Sequence, residues 1–527
     1  MFIVSYINVP FLYDETGENR EHTFQIILYE GSNDIQVNYL DVHPRDMSKH
    51  TTTAGIENAN GSSGLQYERF NTFTRYRNIY VRYYTGSAPD PDPDPDPDPD
   101  PDPDTGTPPP SGGDFHGGSL FFPYILLDPE CHTELCIINP DSKQTQGGVF
   151  KKYDENGRLI QESGSISIPP RGRHDMAIVD LMGLNGNVAY MVFEPDSESE
   201  TLVGYEKFIS GEEGGESVPG AREPSHSVLD IPHIASDANW FTRIVLINAG
   251  DTARNINIKF DNGETVSMEI GPGEHKAFLI KDLFGGDPMP DIHSARIFGS
   301  GLIGMELFGS VDEKNELTAI LLSNQKEHVV CYPHIVENEN WYCGLVAYTY
   351  SSTCDLTITP YSADGTPFPE IYRTISTSSR LAGSAGSLGL PQDTAWLEIE
   401  GTKSLSGFEL FGNVNGGLAG FVCTGMKKKA GVFPDLDSGD VTSIGFVNTE
   451  DSEAYVILTA YRDDGTVVAT SSINISAHAK VVGEVQGLFD QSIDEATYIA
   501  FSSDKEIMGF QLNTSTGQEE ADALPIL

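Results

Sequence analysis

Six cysteines, two histidines at matching places and a recurring glutamate are the residues of this chain whose types and spacing could do chemistry. Cys131-His132 and Cys136 could begin a zinc site, but no second Cys/His cluster follows at finger spacing. The cysteines form no C-x-x-C pair, and their even number suits disulfides in an oxidising compartment. Of the fifteen connectivities that six cysteines allow, one is expected here. Cys331, on the first strand of its repeat, pairs with Cys423, just after the last strand. Cys343 pairs with Cys354 across a short turn, and Cys131 with Cys136 remains.

His233 and His334 each follow a proline, but the equivalent places hold Tyr124 and Asp435, which predicts a structural or surface role. Glu206, Glu306 and Glu409 recur with Gln511 as the fourth member. Glycosidic chemistry needs a pair of carboxylates, and one glutamate per separate sandwich does not supply it. Alternation sets each glutamate opposite its apolar neighbours, which predicts an exposed or edge face. Asp261, Asp364, Asp463 and Asp464 sit in acidic-Gly turns and are weak Ca²⁺ candidates, although turn geometry alone explains Asp and Gly there. Gly299-Ser300-Gly301-Leu302-Ile303-Gly304 fits a dinucleotide pattern but lies between two strands, where a helix is required. No Gly-X-Ser-X-Gly elbow, His-Glu-X-X-His helix or Walker loop occurs. No catalytic residue, bound cofactor or metal site is therefore predicted, with Ca²⁺ the one ion the turns could take.

These residues are placed by a repeat. Phe122-Pro123-Tyr124-Ile125, Ile231-Pro232-His233-Ile234, Tyr332-Pro333-His334-Ile335 and Phe433-Pro434-Asp435-Leu436 share an apolar-Pro-X-apolar pattern about 100 residues apart. A strand follows each, then a strand ending in an aromatic residue and an acidic or Asn turn closed by Gly157, Gly263, Gly365 or Gly465. Each copy closes with a hairpin whose second strand starts at Gly204, Gly304, Gly407 or Gly509. Short alternating strands over such a length predict a β-sandwich of about seven strands per copy, with the proline on an edge strand. The fold class is all-β, with repeats over 118–222, 223–326, 327–428 and 429–527. Trp240 and Trp341 fall at equivalent places and are expected in cores.

Residues 1–87 alternate with period two, with strands predicted over Thr23–Tyr29, Ile35–Leu40 and Arg77–Tyr84. Residues 88–117 form a linker, in which Pro89–Asp104 is eight Pro-Asp pairs. Proline at every second place excludes helix and central strand and leaves a stiff, extended spacer. The net charge is −46, of which residues 1–87 carry −3 and the Pro-Asp pairs −8, leaving −35 on the rest. So acidic a surface excludes a general binder of nucleic acid or anionic membrane. No apolar run of 18 residues or more occurs, so no transmembrane segment is expected. The opening Met1–Tyr6 carries no signal-peptide pattern, and an extracellular address would place that signal upstream.

Two resemblances sharpen this reading. Ile7-Asn8-Val9-Pro10, Phe24–Glu30, Ile35–Tyr39, Thr53–Asn58 and Gly64–Tyr67 resemble a small β-sandwich module of bacterial secreted proteins, often found beside extracellular peptidases. The Phe-Pro-His-Ile, Trp and Tyr-X-Asp-Gly elements resemble tandem immunoglobulin-like repeats of bacterial secreted proteins. Together they imply a non-enzymatic extracellular or cell-surface protein, structural or adhesive: a spaced rod of sandwiches that binds an extracellular protein or glycan, or associates with itself. The alternative is a non-catalytic accessory region of a secreted hydrolase.

Overall fold

Strand-forming alternation is the rule of this chain, and the computed structural model is nearly all β. It describes the backbone of six strands between residues 2 and 83, and residues 118–527 apart from 128–130, 178–187, 198–200, 211–212, 223, 312–315, 350–352, 377–378, 415, 437–440 and 515–520. The Pro-Asp linker lies outside the described residues. Two compact units divide the chain, Met1–Gly106 and Thr107–Leu527.

In the first unit, β1 (Phe2–Pro10), β2 (Glu21–Leu28), β3 (Ile35–Val42) and β6 (Tyr76–Tyr83) form one antiparallel sheet in the order β1-β2-β3-β6. β4 (Thr52–Glu57) and β5 (Gly64–Phe70) form a separate hairpin. The three strands expected here fall on β2, β3 and β6.

The second unit holds four copies of one sandwich. The first copy comprises β7 (Leu120–Phe122), β8 (Cys131–Ile138), β9 (Gln146–Tyr153), β10 (Leu159–Glu162), β11 (Ile166–Ile168), β12 (Arg173–Ala177), β13 (Tyr190–Pro195), β14 (Val203–Ser210) and β15 (Glu213–Pro219); β10 and β11 both pair with β9 and count together as its fourth strand, so that β12 is the fifth and β13 the sixth. The second comprises β16 (Val228–Ile231), β17 (Trp240–Asn248), β18 (Arg254–Phe260), β19 (Thr265–Ile270), β20 (His275–Leu279), β21 (Ala295–Phe298), β22 (Leu302–Ser310) and β23 (Leu317–Leu321). The third runs through β24 (Glu327–Tyr332), β25 (Trp341–Tyr348), β26 (Cys354–Tyr361), β27 (Ile371–Ile375), β28 (Arg380–Ser384), β29 (Trp396–Asn413) and β30 (Gly416–Val422). The fourth runs through β31 (Lys427–Phe433), β32 (Val441–Val447), β33 (Ala454–Tyr461), β34 (Val467–Ile475), β35 (Lys480–Glu484), β36 (Tyr498–Thr514) and β37 (Ala521–Pro525).

The second copy shows the plan most plainly, with one sheet ordered β16-β21-β18-β19 and the other β20-β17-β22-β23. That is eight strands, one more than expected. In the third and fourth copies the sixth and seventh strands fuse into β29 and β36, which pass from one sheet to the other. Period-two burial explains each layer: along β18, Ile256, Ile258 and Phe260 are buried while Asn255, Asn257 and Lys259 face out. The prolines come one residue after each first strand, ending an edge strand instead of lying in it.

The four copies close on themselves. Their last strands meet in a cycle, β15 packing on β23 and β37, and β30 on β23 and β37. Apolar clusters join each copy to the next. Tyr190 and Val192 pack with Ile247 and Ile303, Ile320 with Val346 and Phe408, Phe421 with Phe510, and Ile138 and Tyr205 with Val432 and Tyr498. The expected rod is therefore a ring. The reason is energetic: both faces of the second sheet are apolar, so each sandwich buries its outer face against a neighbour, and only closure leaves none exposed.

Candidate functional site

Up to three parts of one copy meet the turn and fifth strand of the next: all three for the first, third and fourth copies, and the polar cluster alone for the second. The turn after the third strand is the first part. Gly157, Gly365 and Gly465 have φ of 73°, 87° and 81°, the left-handed region that glycine adopts freely. A Cβ on them would lie 2.4 Å from Gly273 C, 2.4 Å from Ala477 O and 2.1 Å from Pro170 O. The turn chemistry read from the sequence therefore has a second purpose, close backbone docking on the next copy. Two residues before each glycine, the carbonyls of Glu155, Ala363 and Asp463 accept from the N–H groups of His275, Lys480 and Arg173 at 2.8, 2.9 and 2.9 Å.

An aromatic pin is the second part. Tyr190, Trp396 and Tyr498 open the sixth strands of their copies and stack on Tyr153, Tyr361 and Tyr461. Tyr190 Oη donates to Gly273 O at 2.8 Å, Trp396 Nε1 to His478 O at 2.9 Å, and Tyr498 Oη to Arg171 O at 2.6 Å. Arg171 and His478 hold φ of 57° and 55°, a conformation that costs a non-glycine residue about 1 kcal/mol or more and is held here by the pin. The second copy has Ala295 in that place and no pin.

The third part is a polar cluster around the residue after the proline. His233 Nδ1 accepts from Arg380 at 2.8 Å, and His334 Nδ1 from Lys480 Nζ at 3.0 Å. Burial and the adjacent cation push His233 down to about 3 and His334 well below its ordinary value, so both rings are neutral acceptors. In the first copy Tyr124 takes this place and its hydroxyl accepts from Arg243. His275 Nε2 meets Pro123 O at 3.1 Å. In the fourth copy Asp435 takes it, bound to Lys207 at 2.9 Å and to Arg173 at 3.8 Å. His275, Arg380, Lys480 and Arg173 are each the first residue of a fifth strand.

The recurring glutamates lie behind these residues and correct the sequence reading. Glu206, Glu306, Glu409 and Gln511 are buried, at 0, 2, 0 and 1% exposure. Alternation does turn them away from their own core, but the neighbouring copy covers that face. Burial holds Glu206 and Glu306 well above the ordinary carboxylate range and pushes Glu409 up to about 8. Glu409 accepts from the His334 N–H at 3.3 Å, and Gln511 Nε2 donates to Asp435 O. Burial also lowers Lys480 to about 8.

Two more carboxylates clamp the last strands at the axis. Glu216 accepts from Thr318 Oγ1 at 2.6 Å and Ala319 N at 3.0 Å, and Asp522 from Ser217 N at 2.8 Å and Ser217 Oγ at 2.7 Å. Each acid thus caps the N–H one place further along on the following copy. Burial raises both, Asp522 to about 6. Period-two reading could not find them, because their partners belong to other copies. A cavity of about 310 Å³ opens at one end of the axis between Leu120, Pro219, Ile320, Phe421 and Ile526, beside Lys428.

The remaining predicted residues fall as follows. The five cysteines whose side chains are described, Cys136, Cys331, Cys343, Cys354 and Cys423, are all free and buried, which overturns the expected disulfides. The backbones of Cys131 and Cys136 lie five residues apart on one continuous strand, roughly 16 Å, beyond the reach of a disulfide. Cys343 is near the start of β25 and Cys354 at the start of β26, so most of a strand separates them, beyond the reach of a disulfide. Cys331 alternates with the inward-facing Val330 and Tyr332 and turns outward to Glu398 at 3.5 Å, away from Cys423. Burial pushes the Cys343 and Cys423 thiols well up, which disfavours the thiolate.

The Ca²⁺ candidates are not brought together. Asp364 and Asp464 accept from the Thr366 and Thr466 N–H groups of their own turns, Asp261 from His293 N, and Asp463 pairs with Arg173. Among the described residues no three His, Cys, Asp or Glu side chains gather as a metal site. Trp240 and Trp341 are half-buried, Trp240 stacking on Phe308 at 5.0 Å, and only Trp396 is wholly buried. Gly299–Gly304 joins β21 to β22 without a helix. No described helix is long and apolar enough to cross a membrane.

No protein-family profile and no curated protein matches the chain. Among solved structures, a tetra-tandem repeat in the extending region of a large adhesion protein is 9% identical, over 78% of this chain and 98% of that one, at a TM-score of 0.10. A structure concerned with host cell surface retention of a 1.5-MDa bacterial ice-binding adhesin is 11% identical, over 57% of this chain and 98% of that one, also at 0.10. At that score neither likeness bears on the fold or the seams.

Proposed function

We propose that this chain is a non-enzymatic structural or adhesive protein of the cell surface or extracellular space, in which a ring of four sandwiches presents binding surfaces. One observation carries the reading. The polar clusters recur at all four seams with their members exchanged: Glu for Gln, His for Tyr or Asp, Lys for Arg or His. A reaction centre needs one fixed set of groups at one place, whereas a joint needs only balanced charge and satisfied hydrogen bonds, and tolerates such exchange. The ring itself is a rigid platform whose outer strands and loops are free to bind. The test is a binding screen of the whole chain on arrays of glycans and extracellular proteins, with a broad panel of hydrolase substrates alongside. Specific binding without turnover is expected; turnover abolished by a seam substitution that leaves the fold intact would overturn the reading.

A second reading, the accessory region of a secreted hydrolase, has its own support. A shallow groove of about 640 Å³ crosses the first sheet of the third copy, lined by Asp355, Thr357, Tyr372, Arg373, Glu400 and Thr402. Tyr372 is 68% exposed there. An aromatic ring among polar side chains suits a sugar face, and loss of glycan binding in Tyr372→Ala would favour this reading.

A further inference from the structure

The fourth strands run along the outer edges of the four sandwiches, and three of them carry the charges that ordinarily keep edges apart. β10 has Glu162, β19 has Glu269 and β27 has Arg373. β34 has none. Its nine residues, Val467-Val468-Ala469-Thr470-Ser471-Ser472-Ile473-Asn474-Ile475, are uncharged and rich in β-branched types, and its partner β33 is uncharged as well. In the sheet order β34 is an edge, bonded on one side to β33 only. Tyr455 and Ile457 of β33 are 47 and 38% exposed, and Val467 at the start of β34 is 53% exposed. On a chain of net charge −46, such a stretch is where a second equally acidic molecule meets least repulsion.

We propose that β34 is a self-association edge, pairing antiparallel with β34 of a second copy of this chain about Ser471. The strand is self-complementary in that register. Ala469 faces Ile473 and Thr470 faces Ser472 on either side of Ser471, and a bulge at Val468 ends the regular alternation beyond Ala469. A two-fold contact requires that match, since each residue meets its counterpart's partner in both directions. The edge supplies unpaired N–H and C=O groups, and its outward row of Thr470, Ser472 and Asn474 carries no charge that would oppose a second copy. This deepens the structural and adhesive reading and rests on it, by naming one partner as the chain itself.

Sedimentation velocity of the full chain tests the proposal. Wild type is expected to move, as concentration rises, to a species of twice 57.4 kDa. Thr470→Lys/Ser472→Lys sets lysine opposite lysine and is expected to weaken the dimer at least about tenfold, as is Thr470→Glu/Ser472→Glu. Mixing the two variants restores the dimer, because opposite charges then face each other. Should a double variant fold poorly by circular dichroism, Ser472→Lys and Thr470→Glu, which face across the pair, carry the same mixing test. A wild type monomeric throughout, a double-lysine variant that still dimerises, or variants that fail to recombine would each overturn the proposal. A monomeric wild type that still binds on the arrays would overturn this inference and leave the broader reading standing.

Discussion

The seam between the third and fourth copies and the seam between the fourth and the first solve one problem with the carboxylate in two places. In the former the acid is Glu409 on the seventh strand, behind a neutral His334 that accepts from Lys480. In the latter the seventh strand has Gln511, and the acid has moved to Asp435, where it meets both Lys207 and Arg173. The chain is continuous across the first seam but must close residues far apart in sequence at the second. A second cation and a directly bonded carboxylate mark the joint that has no covalent help. What these two seams share is a cation from the next copy with one acid near it, not an invariant residue at either position.

The largest expected effect comes from removing that acid. Asp435→Ala removes the carboxylate that binds Lys207 at 2.9 Å and faces Arg173 at 3.8 Å, and should cost about 3 kcal/mol of stability in urea unfolding, Arg173 keeping Asp175 and Asp463. Asp435→His with Gln511→Glu copies the third-copy arrangement, and should recover about 1–3 kcal/mol relative to Asp435→His alone. No recovery would break the equivalence of the two seams.

The axial clamp comes next. Because burial raises Asp522 to about 6, the folded ring holds that proton more tightly than the unfolded chain. The contribution is complete below the unfolded carboxylate value and is lost as pH rises through about 6. Wild type should therefore lose up to about 3 kcal/mol relative to Asp522→Asn between pH 4 and pH 7. Parallel pH profiles of the two proteins would count against a buried, protonated clamp.

Turn docking gives a smaller contrast. Gly465→Ala meets both a left-handed φ and the Pro170 carbonyl, whereas Gly263, at φ 95°, has nothing within 4 Å of its Cβ position. Gly263→Ala should cost about 1 kcal/mol, and Gly465→Ala should exceed it by at least another 1 kcal/mol in thermal melts. The smallest effect is the loss of one pin. Tyr190→Phe and Tyr498→Phe keep the stack and remove only the donor to the next copy, for about 1 kcal/mol each. Trp396→Phe removes the donor to His478 and also leaves a cavity at a wholly buried site, and should exceed them in the melts.

Much of the fold was legible in the residues. The repeat, the strands and the glycine turns follow from period-two burial and from φ > 0 at Gly157, Gly263, Gly365 and Gly465, both of which are local. The site was legible only as a pattern. Glu206, Glu306 and Glu409 could be seen to recur and to face away from their own core, but the sequence carries no sign of what covers that face. The cysteines failed for a related reason: Cys331 stands on the first strand and Cys423 just past the last, and both strands pair with β29 and not with each other, while one step of alternation turns the Cys331 side chain outward.

By itself, then, the sequence determined the all-β class, the fourfold repetition and the residue types available at each joint. Local propensity and alternation act within a strand or hairpin and need no knowledge of neighbours. Only the tertiary structure decided that four sandwiches form a ring, that the recurring glutamates are buried and that the histidines are neutral acceptors. Those facts depend on which outer face meets which, and so on burial and charge balance between segments more than 300 residues apart, such as Ser217 and Asp522 at 305. Desolvation belongs to the assembled interface, and no window of sequence contains it.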